Sequence, residues 1–316
     1  MKQKIIGILP THSRCEMLPR ALSSVVAQAH RPDLFLILDN ASTDGSDKVL
    51  KSFADKHDFI KIIRSEKNLG ASGGMRFLME RALEMGADWV WFMDDDAEVD
   101  SKALDMLLKS SAVNNPEAYI LEMAVLDANG VWTPHNRPSL FNEDRFDFQG
   151  LEESAIHSDE PIEVHTGGYN GWFVRRSCFE EFGFPRSDMY FWFDDIEYVV
   201  RVSRKKKVFL VPKAKVKHFA TSLVEYEVRW PFSGPLPKIP AEHMERYFYW
   251  NRNWLWFAKQ WLPAHKYAVF WAKHVARGLA APVLFKQDDL VKRWKFVVEA
   301  GLDAAKNKLG KKEGFR

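Results

Sequence analysis

The stretch WVWFMDDDAEVD, residues 89–100, passes from an apolar run into three consecutive aspartates. Val90, Trp91, Phe92 and Met93 have the length and composition of a buried strand, and Asp94, Asp95 and Asp96 follow where that strand ends. Three adjacent like charges repel, so a positive group belongs beside them: basic side chains, a helix N-terminus or a divalent cation. Hard divalent cations take carboxylate oxygens and bridge them to substrate phosphates. The alternative is an acidic loop capping the next helix, with Asp100 or Ser101 as the N-cap.

The residues before this stretch repeat one unit. KIIGILP (4–10), LFLILDN (34–40), FIKIIRS (59–65) and DWVWFM (88–93) read as short buried strands. Helical periodicity lies between them: Leu18, Leu22, Val25 and Val26, then a helix reaching about His57, then NLGASGGMRFLMERALEMG closed by Gly86. Strands alternating with single helices predict an α/β fold whose first strands run parallel, with ligands at their carboxyl ends. Those ends carry Thr11, Asp39, the 68–74 loop and the aspartates 94–96.

After position 118 the pattern changes. AYILEMAVL and GVWTPH read as strands, NGWFVRRSCFEEFGF as a strand running into a helix, and KVFLVP and AKVKHFA as two more strands. FWFDDIEYVVRVSRK begins a helix headed by Asp194 and Asp195. A carboxylate there serves as an ordinary cap or as a general base in a partly apolar cleft. NLGASGG fits neither the dinucleotide nor the P-loop pattern, yet a glycine turn at a helix start lets backbone approach a ligand.

The 316 residues, 46% hydrophobic and 28% charged, suit a soluble globular protein with one large domain and an extension. Two cysteines exclude a disulfide framework and a cysteine-built metal site, and they fit a reducing cytosol. The apolar run near the amino terminus is too short for a signal peptide, and no stretch of about 18 residues lacks charge. The expectation is a cytoplasmic protein, or one peripheral on the inner face of the plasma membrane. Charge is divided unevenly: residues 1–237 carry −7 and residues 238–316 carry +9, with six of the twelve tryptophans after position 246.

Taken in order, PTHSRCEMLPRALSSVVAQ, LDNASTDGS, NLGASGG, FMDDDAEV, GWFVRR, FWFDDIEYVVR and KHF resemble glycosyltransferase family 2 over roughly residues 4–222. The triple aspartate, the FDD pair and the downstream histidine are most similar to bacterial galactofuranosyltransferases and rhamnosyltransferases. Phe193 stands directly before the pair, where the galactofuranosyl enzymes place tryptophan, and Trp192 precedes it. YFYWNRN also resembles a segment of these relatives.

The resemblance implies a GT-A fold, a Rossmann-like mixed sheet, over residues 1–222. Residues 1–100 would form its nucleotide-binding half and 101–222 its acceptor-binding half. A linker and helical extension over 223–316 would follow. It implies that Thr11, Asp39, Asn68, Gly70, Gly73, Gly74 and Asp94 bind the nucleotide-sugar donor. Asp96 and His218 would hold Mn²⁺ or Mg²⁺, and Asp195 would be the general base. Trp192, Phe193 and Asp194 would line the acceptor side. The implied activity is inverting transfer of galactofuranose from UDP-galactofuranose to a glycan or lipid-linked glycan acceptor in cell-surface polysaccharide synthesis. dTDP-rhamnose is the second donor. A sugar nucleotidyltransferase fits less well, because GILPTHSRCEMLP lacks a Gly-rich basic signature. A non-catalytic nucleotide-sugar-binding partner is the reading of another class.

The basic, aromatic tail mixes Trp and Phe with Lys and Arg at helical spacing. Such helices lie in a membrane interface, with Trp254, Phe257 and Trp261 as the expected inserting residues. A helical subdomain packed on the catalytic core or on another subunit is the alternative. No nucleic-acid-binding module is recognisable, so no nucleic acid partner is expected.

Overall fold

The computed structural model describes residues 3–132, 138–144, 146–219, 225–228 and 235–315. The chain divides into two compact units. The first comprises Met1–Asn142, Asp147–Arg186 and Asp195–Ala220, and the second Glu143–Phe146, Ser187–Asp194 and Thr221–Arg316.

The first unit is built on β1 (Ile5–Thr11), β2 (Leu34–Asp39), β3 (Ile60–Arg64) and β4 (Trp89–Phe92). Helices α1 (Leu18–Val26), α2 (Ser46–Ala54) and α3 (Gly70–Glu84) connect them. All four strands pair in parallel, in the order β3-β2-β1-β4, as the alternation predicts. The sheet continues through β5 (Ala97–Val99), β6 (Ala118–Leu126), β10 (Trp172–Arg175) and β11 (Lys207–His218) as β4-β10-β6-β11-β5, with β9 (Ile162–Val164) on β11. β10 runs antiparallel to both neighbours, so the sheet is mixed. β7 (Ser139–Asn142) and β8 (Asp147–Gly150) form a separate hairpin.

Both sheet faces are covered, which is why these strands read as continuous apolar runs. Trp89, Trp91, Leu121 and Met123 pack on one side with α1, α2 and α4 (Ala103–Lys109). Val90, Phe92, Ile120 and Ala124 pack on the other with α3, α5 (Arg176–Phe182) and α6 (Asp194–Ser203). KVFLVP and AKVKHFA, expected as two strands, are one. β11 runs through Pro212 by a register shift against β6 between Val211 and Lys215, an irregularity that accommodates a residue without a backbone donor. Of the strand expected over 130–135, Trp132 bridges to Leu126, while 133–137 lie outside the described residues. Much of the expected linker, 221–224 and 229–234, also lies outside them.

The second unit holds a hairpin of β12 (Glu225–Val228) and β13 (Pro235–Lys238), then α7 (Met244–Trp261), α8 (Ala264–Leu284) and α9 (Leu290–Ala305). Gly301 lets α8 and α9 approach: a Cβ there would lie 3.0 Å from the Trp271 ring, whose Nε1 donates to the Gly301 carbonyl at 2.9 Å. Of the expected inserting residues of α7, one is buried and two are half-buried. Phe257 is fully buried, Trp254 packs on Phe146, Phe257 and Phe270, and Trp261 packs on Phe257. Helix α7 is therefore the packed centre of a helical subdomain. Among the described residues, no helix is long and apolar enough to cross a membrane.

Candidate active site

Strand order reverses between β1 and β4, and the ends of these strands are where an α/β sheet opens a crevice. Thr11 ends β1, and its Oγ1 donates to Asp95 Oδ2 at 2.7 Å, tying the two strand ends together. Burial pushes the Asp95 carboxyl up to about 6, against the pull of the Thr11 hydrogen bond. Asp39, at the end of β2, is 1% exposed; its Oδ2 pairs with Arg64, and its Oδ1 accepts from the Ser42 amide at 2.9 Å.

The side chains that could hold a metal ion come from distant parts of the sequence. β5 and β11 run antiparallel with Ala97 opposite His218, and the Phe219 amide donates to the Asp96 carbonyl at 2.9 Å. That register brings His218 Nε2 to 3.0 Å from Asp96 Oδ1. One ligand atom each from Asp94, Asp96 and His218 lie within 4.8 Å of one another. Burial alone would raise the Asp96 carboxyl, but the hydrogen bond and charge of His218 outweigh it and hold it below its ordinary value. Asp94, which the resemblance assigns to the donor, thus sits with Asp96 and His218.

The Gly-rich turn is fixed by Asn40, a residue the sequence reading passed over. Asn40 Oδ1 accepts from the Leu69 amide at 2.8 Å, and its Nδ2 donates to Asn68 Oδ1 at 3.1 Å and to the Gly70 carbonyl at 3.2 Å. Asn68 Oδ1 in turn accepts from the Gly70 amide at 2.8 Å. Gly74 has a packing reason: a Cβ there would stand 3.2 Å from Asn40 Nδ2 and 3.3 Å from Leu38. Gly73 faces Leu69 in the same first turn of α3. Ser72 Oγ is buried without a hydrogen-bond partner among the described residues.

Asp195 is the second residue of α6, and its Oδ1 accepts from the Ile196 amide at 2.8 Å. It is half-buried, whereas Asp194 is 3% exposed. Gly168 lies against it: a Cβ there would be 3.3 Å from Asp195 Oδ2. Two further residues of this unit went unnoticed in the sequence. Glu122 is buried in β6, and Asn170, just before β10, has both side-chain polar atoms buried without a partner among the described residues.

Within the second unit, the segment that leads to the aspartate pair has left-handed backbone at Tyr190, Trp192 and Phe193 (φ of 65°, 62° and 76°). Non-glycine residues adopt this conformation at a cost of about 1–3 kcal/mol each. The YFYWNRN segment supplies the compensation. Asn253 Nδ2 donates to the carbonyls of Met189, Phe191 and Trp192 at 3.2, 3.0 and 2.8 Å. Arg252, 1% exposed, donates to the carbonyls of Met189 at 2.9 Å and Gly310 at 2.6 Å. Phe193, expected on the acceptor side, is instead 2% exposed, its ring packed on Trp250, Trp254 and Phe257. Trp192 remains half-buried.

A mixed sheet of this order, with acids at the strand ends, defines a GT-A fold. Solved structures share it: GalNAc-T7 with UDP, GalNAc and Mn²⁺ (TM-score 0.59, 13% identity, 94% of this chain and 54% of that one), and S. aureus TarS 1–349 with UDP-GlcNAc (TM-score 0.57, 14% identity, 96% and 81%). The chain belongs to glycosyltransferase family 2, whose model, Glycosyl transferase family 2, matches residues 8–183. Among curated relatives, galactofuranosyltransferase GlfT1 of Mycolicibacterium smegmatis is 26% identical over 202 residues, covering 63% of this chain and 65% of that protein. GlfT1 of Mycobacterium tuberculosis is 34% identical over 109 residues, covering 34% and 36%. The cholesterol galactosyltransferase of Borreliella burgdorferi is 28% identical over 117 residues, covering 37% and 31%. The matched stretches thus span less than two thirds of these relatives' own length.

Proposed function

We propose that this protein is a metal-dependent, inverting glycosyltransferase that moves galactofuranose from UDP-galactofuranose to a glycan acceptor held on a lipid carrier. The observation that carries the reading is the gathering of Asp94, Asp96 and His218 at the carboxyl end of the sheet. Two carboxylates and an imidazole suit Mn²⁺ or Mg²⁺. The bound ion would supply Lewis-acid neutralisation of the departing diphosphate, with these three residues as its holders.

The chain's own residues do the rest. Thr11, Asp39, Asn68 and the turn of Gly70, Gly73 and Gly74 bind and orient the nucleotide sugar. Asp195 takes the proton of the acceptor hydroxyl, being the more exposed carboxylate of the pair. The freed oxygen pair forms the bond to the anomeric carbon from the face opposite the diphosphate. The carbon–oxygen bond to the diphosphate breaks, and its electrons leave with the nucleoside diphosphate, which inverts the centre. Trp192 belongs to the acceptor side, whereas Asp194, at 3% exposure, is too buried to face it.

The domain reading that accompanies this is a catalytic domain over 1–222 and an extension over 223–316. The +9 charge of residues 238–316 suits anionic lipid headgroups, with work at the cytoplasmic membrane face in cell-surface polysaccharide synthesis. Galactofuranosyltransferases among the relatives support the donor. A donor screen with Mn²⁺, reading nucleotide release with and without glycan acceptor, tests the proposal. Preferential turnover of dTDP-rhamnose would replace the donor, and binding without turnover of any donor would leave a non-catalytic partner.

A further inference from the structure

Strand β6, AYILEMAVL, is buried along its whole length between β10 and β11, and Glu122 is the one ionisable carboxylate in it. Its register neighbours are Trp172 and Leu210, and the residues flanking it on the same face, Ile120 and Ala124, belong to the apolar core. Nothing in strand formation calls for an acid there; burying a carboxylate without a counter-charge is costly. Its Oε1 has no hydrogen-bond partner among the described residues.

Glu122 lies against the backbone that borders Asp195. A Cβ on Gly167 would fall 1.9–2.1 Å from the Glu122 carboxyl group, and a Cβ on the next residue, Gly168, would reach Asp195 Oδ2 at 3.3 Å. Consecutive glycines therefore let two carboxyl groups approach one peptide. Of the groups packed around Glu122, Asp195 carries charge, while Trp172, Leu210 and Gly167 carry none. Two neighbouring carboxylates cannot both ionise cheaply, and unequal solvation decides which keeps the proton.

We propose that Glu122 is a positioning residue for the reaction, a proton-bearing acid set behind Asp195 along the Gly167–Gly168 backbone. Burial, and secondarily the charge of Asp195, raises its carboxyl well above the ordinary range, which agrees with that placement. Carrying the proton inside the sheet, Glu122 leaves the negative charge on the solvated Asp195, where an acceptor hydroxyl can reach it. This inference rests on Asp195 being the base.

The test compares Glu122→Gln, which imitates the protonated acid, with Glu122→Leu, which fills the space without a polar group. Unfolding of the wild type should lose stability as pH rises above the unfolded-state carboxylate value, because folding takes up about one proton at Glu122. Glu122→Gln should lack that slope. Glu122→Gln should also keep kcat within about threefold, and its activity should persist to higher pH than that of the wild type. Folded Glu122→Leu should lose at least about tenfold in kcat with donor KM unchanged. Equal pH slopes in wild type and Glu122→Gln, or a folded Glu122→Leu with wild-type kcat, would overturn the proposal. An active Asp195→Asn would remove the base assignment instead, while the slope comparison still reads the proton on Glu122.

Discussion

Asn253 Nδ2 donates to the Trp192 carbonyl at 2.8 Å, and the same nitrogen reaches the carbonyls of Phe191 and Met189. One buried amide thus collects the carbonyls of a backbone segment whose residues 190, 192 and 193 all have positive φ. Replacing Asn253 with Ala orphans these groups and should cost about 1–3 kcal/mol of stability. Below the melting temperature, kcat should fall while donor affinity persists, because the altered segment runs directly into Asp194 and Asp195. Thermal unfolding and donor titration on Asn253→Ala check both parts; wild-type values in each would remove the role.

Asp96 and His218, 3.0 Å apart, carry the metal reading. Asp96→Ala should lower transfer more than ~100-fold, since stabilisation of a departing diphosphate is worth several kcal/mol. EDTA should reproduce the loss in wild type, and Mn²⁺ or Mg²⁺ should restore it. Full turnover in EDTA would sink the assignment.

Asp195→Asn keeps the shape of the side chain and removes the proton acceptor. Turnover should drop by roughly 10²–10⁴-fold with donor binding retained. Asp194 is the control, because its near-complete burial takes it out of reach of an acceptor hydroxyl. An inactive Asp194→Asn beside an active Asp195→Asn reverses the roles.

The alternation of buried strands with single helices made β1 to β4 and their parallel pairing legible, because strands covered on both faces leave unbroken apolar runs. Asp96 and His218 were visible as residue types, but their meeting depends on the β5–β11 register, which no local pattern encodes. Pro212 broke the reading of β11 into two, since a proline inside a strand normally marks its end. Glu122 stayed hidden for the opposite reason: one acid in a nine-residue apolar strand does not alter its periodicity. Asn40, Arg252 and Asn253 act through hydrogen bonds to backbone distant in sequence, so their side chains alone gave no clue to their partners.

In the second unit, His274 Nε2 lies 2.6 Å from Asn251 Oδ1. Burial, aided by the nearby Arg277 charge, lowers the His274 imidazole to about 4. The unfolded chain takes up this proton near its ordinary value, so the depressed folded value gives stability that is present at neutral pH. That stability is lost as pH falls from about 6.5 towards 4, to a total of at most roughly 3 kcal/mol. His274→Gln should flatten this part of the stability profile. An unchanged acid slope in denaturant titrations of His274→Gln would show that other groups produce it.

A membrane surface as partner would rest on side chains other than Trp254, Phe257 and Trp261. Phe257 is buried, and Lys259 is engaged: its Nζ donates to the Ala305 carbonyl at 2.6 Å and to Asn307 Oδ1 at 3.1 Å. Substituting Lys259 would therefore report on folding. Helix α9 instead exposes Val291 (76%), Val298 (38%) and Leu302 (43%) along one stripe, with exposed Lys292 and Lys295 beside it. An apolar stripe flanked by basic residues suits an anionic lipid surface. The protein should co-sediment with phosphatidylglycerol vesicles, and part of that binding should vanish as salt rises, because exposed charges are screened beyond about 8–10 Å at physiological ionic strength. Lys292→Glu with Lys295→Glu should remove the salt-sensitive part. Serine at 291, 298 and 302 should remove the salt-resistant part, while transfer to a short soluble acceptor stays within about twofold of wild type, these being changes to exposed surface positions. Failure of the wild type to bind such vesicles at low salt would assign the stripe to a protein contact.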